Sequence, residues 1–138
     1  LRDLTTSPAM DTFVDRMREI VGNSDPVYTA GAVYGLESSA VPELVIVKSA
    51  MDQVFQQVTG RPMESDGHLG RFFALHLTTW EPGHEEGLRL TTERYLTTEE
   101  QRERFERGFR DTISSMDVMW RGLYRESKDQ QMRQQYGI

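Results

Sequence analysis

Apolar residues recur every three or four positions along most of this chain, a spacing that an amphipathic α-helix turns into one buried face. The clearest run consists of Met10, Phe13, Val14, Met17, Ile20 and Val21. Ser7-Pro8 and Asp25-Pro26 precede such runs, and each pairs a capping side chain with a proline suited to the first helical position. No convincing strand pattern occurs, so the sequence predicts an all-α fold.

Proline and glycine divide the predicted helices. Pro42 cannot donate a backbone hydrogen bond, so we expect it to kink or interrupt the helix that begins after Asp25. A further helix is predicted from Glu43 to about Val58, and Gly60-Arg61-Pro62 should end it. Small residues at positions 30, 31, 32 and 35 predict the close approach of another helix.

The last third of the chain predicts one long amphipathic helix. Thr97 and Glu100 have the spacing of a capping box at its start. Its apolar face consists of Phe105, Phe109, Ile113, Met116, Met119, Trp120 and Leu123. Residues 127–138 are polar, and we expect this tail to fray.

Size, charge and cysteine content narrow the class of protein. With 138 residues, we expect a single helical domain over 1–138. A net charge of -6 without a basic cluster argues against nucleic-acid binding. The absence of cysteine excludes disulfides and thiolate metal sites, and it suits a cytoplasmic protein. No apolar run reaches about 18 residues, so we expect no membrane span.

Residues 71–85, RFFALHLTTWEPGHE, contain the most informative chemistry. Glu81 and His84 are three residues apart, about 60° around a helix, which is a spacing that presents a carboxylate and an imidazole to one metal ion. His76 and Glu81 are five apart, about 140° on an undistorted helix. A π-helical turn would bring them together, and Pro82-Gly83 favours such a distortion. The alternative is a hydrogen-bonded core histidine at 76, with Glu81 and His84 as surface groups.

A second carboxylate, Glu37, falls on an apolar helix face, where an ionised group is costly unless it is paired or bound to a cation. We interpret it as a metal ligand, with pairing to an arginine, Tyr28 or Tyr34 as the alternative. His68 is predicted to lie in a surface loop or at a helix start. The side chains that could orient the histidines are Tyr28, Tyr34, Thr78, Thr79 and Asp111.

Three segments carry a resemblance to a known family. They are AVYGLESSAVPEL, FFALHLTTWEPGHEEGL and TTEEQRERFERGFRDTISSMDVMWRGLYRE, within residues 25–126. Together they resemble the heme-oxygenase-like diiron oxidases and oxygenases. That resemblance implies a bundle of about seven helices, and a metal site formed by Glu37, His76, Glu81 and His84.

The same resemblance implies a function. We expect a non-heme iron-dependent oxidase or oxygenase with one or two Fe(II) ions and O2 as co-substrate. Its substrate should be a small amino-acid, amine or fatty-acid-like molecule, with natural-product biosynthesis as one context, an expectation that rests on the family alone. The alternative is a metal-free helical protein of the same fold that binds a ligand or a partner.

Two departures from the family pattern qualify these expectations. The family spaces its later cluster as His-x3-Asp-x2-His, whereas here it is His-x4-Glu-x2-His. The family's first core helix also supplies a glutamate and a histidine that have no counterpart here. Since the chain begins with leucine, we expect either a preceding segment or a companion chain to supply that pair. A homodimer is also compatible with this interpretation.

Overall fold

The computed structural model describes residues 7–65 and 67–136, and every regular element in that part of the chain is helical. The elements are α1 (Pro8–Val21), α2 (Pro26–Thr59), α3 (His68–Leu75), a π-helical turn (His76–Trp80), α4 (Glu81–Tyr95) and α5 (Glu99–Tyr136). The predicted all-α class is confirmed. Helix α5 continues to Tyr136, and residues 137 and 138 of the predicted frayed tail lie outside the described residues.

The chain divides into two compact units. The terminal unit consists of Leu1–Val33 and Glu103–Ile138, and the central unit consists of Tyr34–Arg102. Both α2 and α5 contribute residues to each unit. Two compact units do not decide whether residues 1–138 form a single domain, so that expectation stays a prediction.

Capping in the terminal unit follows the sequence signals. The Ser7 hydroxyl accepts a hydrogen bond from the Met10 amide, and Pro8 occupies the first turn of α1. The Gly22 amide closes the helix on the Arg18 carbonyl. An Asp25 carboxylate oxygen likewise accepts from the Val27 amide at the start of α2. These two predicted helix starts are confirmed.

Fewer residues of α1 are buried in the core of the terminal unit than its apolar stripe predicted. Ile20 is buried together with Tyr28 and Ala32, and Met17 packs against them. Three members of the α1 stripe, Met10, Val14 and Val21, are exposed, so that part of the prediction is wrong. Ile20, the buried residue of α1, lies in the last turn of that helix, and its buried neighbours Tyr28 and Ala32 belong to α2.

Glycines bring α2 and α5 into backbone contact within the terminal unit. A Cβ atom at Gly31 would overlap the Phe105 carbonyl, and one at Gly108 would overlap the Tyr28 carbonyl. The absence of a side chain at these positions therefore permits the helix pair to approach. The predicted close approach of a helix is confirmed at Gly31.

Helix α2 runs without interruption through Pro42, so the predicted interruption and the separate helix from Glu43 are wrong, whereas the kink at Pro42 stays a prediction. Proline removes one amide donor, but its fixed φ is compatible with a helix whose other hydrogen bonds continue. The helix ends as predicted at Gly60, which has a φ of 70° and donates its amide to the Gln56 carbonyl.

The capping box of α5 lies one residue later than predicted. The Thr98 hydroxyl accepts from the Gln101 amide at 3.2 Å, and Gln101 Oε1 accepts from the Thr98 amide at 3.0 Å. The pairing of Thr97 with Glu100 is therefore wrong. Both pairs fit the same sequence pattern, and the glutamine also accepts from the Thr97 amide, which adds a third hydrogen bond to the later register.

Within the described residues, one helix, α2, is long and apolar enough to cross a membrane by length and composition. This is weak support for a span, because the core helix of a soluble protein and a signal sequence both satisfy the same criterion. The expectation of no membrane contact stays a prediction.

Candidate metal centre

The candidate site lies in the central unit, where α3, the π-helical turn and α4 follow one another without a break. The Glu81 amide donates to the His76 carbonyl, five residues back, which is the hydrogen bond of a π-helix. Pro82 has no amide to donate, and a Cβ atom at Gly83 would meet nothing within 4 Å. The π-helical turn, which the sequence offered as the distortion that could bring His76 and Glu81 together, is present.

His76 is fixed at the start of this turn. Its Nδ1 lies 2.8 Å from the Phe72 carbonyl, and because a carbonyl can only accept, Nδ1 carries the proton. In the neutral ring, Nε2 then has a free lone pair, and it lies 3.9 Å from Glu81 Oε1. The rings of Phe72 and Trp80 contact the imidazole, with centroids 3.9 and 4.7 Å away. His76 therefore presents its ligand atom toward the carboxylate.

A carboxylate from α2 meets α4 at the same place. His84 Nδ1 lies 3.2 Å from Glu37 Oε2 and 3.5 Å from Glu81 Oε2. One ligand atom from each of these three residues lies within 4.8 Å of the others. The structure thus brings together Glu37, Glu81 and His84, and it places His76 beside Glu81.

The burial of the cluster is graded. The Glu81 side chain is 12% exposed and that of His76 is 18% exposed, whereas His84 is 57% exposed. Two carboxylates in such a partly buried place repel each other unless a cation lies between them. A protonated His84 or a bound metal ion would supply that positive charge. The exposed imidazole of His84 marks the side on which the cluster meets solvent.

The alternatives for these residues can be compared with this geometry. The ion-pair partner of Glu37 is His84, and the Tyr28 hydroxyl donates to Asp111. Glu81 is a largely buried group, unlike the surface carboxylate of the alternative interpretation. His68 is the first residue of α3 and is exposed, which confirms its predicted place at a helix start.

Sequence reasoning missed the group that orients His76. The expected candidates were side chains, whereas the acceptor is the backbone carbonyl of Phe72. Among those candidates, the Thr78 hydroxyl donates to the Ala74 carbonyl, a bond to its own helix. Every residue has a carbonyl, so the signal available beforehand was only that Phe72 precedes His76 by one turn.

The donor set fits a transition metal. Two carboxylates and imidazole nitrogen suit iron or manganese, whereas a site for magnesium would consist of oxygen atoms alone. The fixed proton on His76 Nδ1 is the arrangement that metal-binding histidines commonly have, with the second nitrogen held by a carbonyl.

Comparison with known proteins gives one family. The chain matches, over residues 1–126, a family described as a domain of unknown function with a solved structure, DUF3865. No curated protein matches the chain, and no solved structure matches it. Since the match covers more than half of the sequence, the chain belongs to the DUF3865 family.

Proposed function

We propose that this protein is a non-heme iron enzyme that uses O2 to oxidise a small organic substrate. The observation that carries the proposal is the convergence of Glu37, Glu81 and His84 on one point in the central unit. The heme-oxygenase-like resemblance of the same segments supports iron, and the donor set agrees with it. We propose the heme-oxygenase-like bundle as the specific fold on the same grounds.

Each side chain has a distinct part in such a site. Glu37 and Glu81 would bind through carboxylate oxygens, and together they offset the charge of a divalent cation. His84 would bind through Nδ1, the nitrogen that faces both carboxylates. His76 would bind through Nε2, because its other nitrogen is bonded to the Phe72 carbonyl. Iron(II), when bound, supplies the reducing electrons that make O2 reactive.

The surrounding residues orient the ligands and restrict water. The Phe72 carbonyl fixes the tautomer of His76, and the Phe72 and Trp80 rings limit its rotation. The low exposure of Glu81 and His76 keeps their side of the site shielded from solvent. The exposed side of His84 leaves a direction from which O2 and a substrate can approach.

Metal binding can be tested separately from the reaction. Anaerobic titration with Fe(II), followed by measurement of iron per chain, should give bound iron for the parent protein. His84→Ala and Glu37→Gln should each lower the affinity by about 10-fold or more. His68→Ala is the matched control, because this exposed histidine lies at the start of α3, outside the cluster.

The outcomes of these measurements distinguish a failure of the metal site from a failure of the proposed oxidation. A parent protein that binds no iron, or a His84→Ala variant that binds it as tightly, would overturn the metal site. Iron binding without substrate-dependent O2 consumption across amino-acid, amine and fatty-acid substrates would instead count against the oxidative function. The expected result is O2 uptake with one of these classes, and its loss in Glu37→Gln.

A second candidate function is a metal-free helical protein that binds a ligand or partner. The observation in its favour is a set of large apolar side chains on the second half of α2 that are more than half exposed. These are Val45, Ile46, Val54 and Val58. Absence of bound iron after anaerobic loading would favour this function over the enzyme. A companion chain or a second copy that covers these residues could also supply further metal ligands.

A further inference from the structure

The terminal unit contains a cavity that the proposed iron chemistry does not use. It has a volume of about 490 Å³ and lies between α1, the α1–α2 loop, α2 and α5. Ile20 and Tyr28, both buried, form its floor, and charged side chains form its walls. This volume is in the range of small-molecule sites.

Two charged side chains that line this cavity, Arg107 and Asp111, form no ion pair within the described residues. Arg107 and Asp111 are one turn apart on α5, a spacing at which such a pair usually forms an ion pair. In residues 7–65 and 67–136, neither has an ion-pair partner, although Asp111 Oδ2 accepts the Tyr28 hydroxyl at 2.7 Å. The other wall charges are matched, since Arg16 pairs with Glu19 at 3.0 Å and Asp25 pairs with Arg104 at 3.4 Å.

The electrostatics of Tyr28 agree with this arrangement. Burial, followed by the hydrogen bond to Asp111, raises the pKa of the Tyr28 phenol to about 12. Arg16 and Arg107 act on the same pKa in the opposite direction, so both guanidinium groups lie near the phenol. The floor of the cavity is therefore a neutral hydroxyl with a carboxylate on one side and guanidinium groups nearby.

An apolar cavity adjoins the polar one. It has a volume of about 240 Å³, lies between α1 and α5, and shares Arg16 and Asp111 with its neighbour. Its apolar lining includes Phe13, Val118 and Met119. Met119 is buried, whereas Val118 is exposed. The two cavities adjoin at Arg16 and Asp111, and together they form a groove in which charged side chains lie beside apolar surface.

We propose that this groove binds a small zwitterion with an apolar tail, of the chemical class of free α-amino acids with hydrophobic side chains. The Arg107 guanidinium would receive the carboxylate, and the Asp111 carboxylate would receive the ammonium group. The side chain of the ligand would then lie against Phe13 and Met119. A simple anion would leave Asp111 unmatched, and a simple cation would leave Arg107 unmatched, so the pair favours a molecule that carries both charges.

Calorimetric titration with L-phenylalanine tests this proposal on the whole chain. Three related probes each lack one feature: 3-phenylpropanoate lacks the ammonium group, phenethylamine lacks the carboxylate, and glycine lacks the apolar side chain. L-Phenylalanine should bind more tightly than all three. The loss of one charge-assisted hydrogen bond should weaken binding by about 10-fold or more.

Variants assign the contacts. Arg107→Gln and Asp111→Asn should each raise the Kd by about 10-fold or more. In Asp111→Asn the side-chain carbonyl of the new amide can still accept a hydrogen bond from the Tyr28 hydroxyl, so the fold should persist. Arg110→Gln is the matched control, because Arg110 is an exposed α5 arginine that pairs with Glu106 and does not line the cavity.

The contrary results are equally definite. No heat of binding for L-phenylalanine at about 10 mM would overturn the proposal. So would equal binding by the parent protein and by a doubly substituted Arg107→Gln, Asp111→Asn variant whose circular dichroism is unchanged. Equal affinity for 3-phenylpropanoate and L-phenylalanine would reject the zwitterion in favour of an anion site. None of these results depends on iron, so the proposed enzyme function is tested independently.

Discussion

The Nε2 atom of His76 lies 3.9 Å from Oε1 of Glu81, with four residues between them in the chain. On a regular α-helix these side chains would diverge by about 140°. The π-helical hydrogen bond from the Glu81 amide to the His76 carbonyl brings them together. The number of residues in this turn therefore determines whether the imidazole and the carboxylate can serve one metal ion.

Deletion of Thr79 should convert the π-helical turn into an ordinary α-helical one. His76 and the carboxylate would then be four residues apart, a spacing that faces one side of a regular helix. We expect the shortened protein to bind Fe(II) within about tenfold of the parent affinity. Equilibrium titration of both proteins, with circular dichroism to follow helix content, measures this.

Insertion of one alanine after Thr79 is the opposing control. A separation of six residues places the two groups about 120° apart around an α-helix, so Fe(II) affinity should fall by about 10-fold or more. The role of the turn would be refuted if the deletion abolished binding while the insertion preserved it. Both variants change the chain at the exposed Thr79. A difference in Fe(II) affinity between them therefore reflects the number of residues in the turn and not the loss of the threonine side chain.

Gly31→Ala should destabilise the terminal unit, because the added methyl group would overlap the Phe105 carbonyl. Overpacking at a helix contact costs about 1–3 kcal/mol, and here the obstacle is backbone that cannot rotate away. Gly83→Ala is the matched control, since its Cβ would meet nothing within 4 Å. That change should stabilise the helix by about 0.5–1 kcal/mol.

Urea denaturation of the two variants measures both effects as changes in the midpoint. A Gly31→Ala protein as stable as the parent would show that α2 and α5 can separate without cost at this point. The same result would remove the physical reason for a small residue at position 31.

The sequence predicted correctly those structural features that depend only on neighbouring residues. Ser7-Pro8 and Asp25-Pro26 predicted helix starts because capping needs only the adjacent residues. The five-residue spacing of His76 and Glu81, with Pro82 beside it, indicated a π-helical turn as the condition for the two to meet, because a regular α-helix cannot bring them together. The approach of the two glutamates and His84 also followed, once Glu37 was placed on an apolar helix face.

The sequence did not predict the structure correctly where two neighbouring residues fit the same local pattern. It also gave no signal where a backbone atom, rather than a side chain, makes the contact. Thr97 and Thr98 each begin the same capping pattern, and only the side chain of Gln101 distinguishes them. Proline usually interrupts a helix interior, but α2 continues through Pro42. Only one backbone hydrogen bond is lost there, and the turns on both sides keep theirs. The carbonyl that orients His76 has no sequence signature at all.

Tyr28 should titrate above an ordinary tyrosine. Burial and the hydrogen bond to Asp111 raise its pKa from 10.0 to about 12, so the folded state retains this proton while the unfolded state loses it. The free energy of unfolding should therefore decrease as the pH rises from about 10 to about 12. Tyr28→Phe should remove this component of the pH dependence and cost about 1 kcal/mol at neutral pH.

Denaturant titration of the parent and of Tyr28→Phe across this pH range measures the difference between the two slopes. Asp111→Asn should lower the pKa of Tyr28 without restoring it to the ordinary value, because the burial remains. Identical slopes for the parent and Tyr28→Phe would show that this phenol is not held in its neutral form by the fold.

Thr98→Ala should destabilise the start of α5 by about 0.5–2 kcal/mol, because the Gln101 amide would lose the hydroxyl that accepts its hydrogen bond. Glu100→Ala is the control that distinguishes the two registers of the capping box, because alanine, unlike glutamine, cannot replace the glutamate in such a box. Its side chain belongs only to the earlier register, so its replacement should change stability by less than about 0.5 kcal/mol. Thermal denaturation followed at a helix-sensitive wavelength gives both values. If Glu100→Ala were the more damaging substitution, the box would pair Thr97 with Glu100 in solution, and α5 would begin one residue earlier than Thr98 and Gln101 place it.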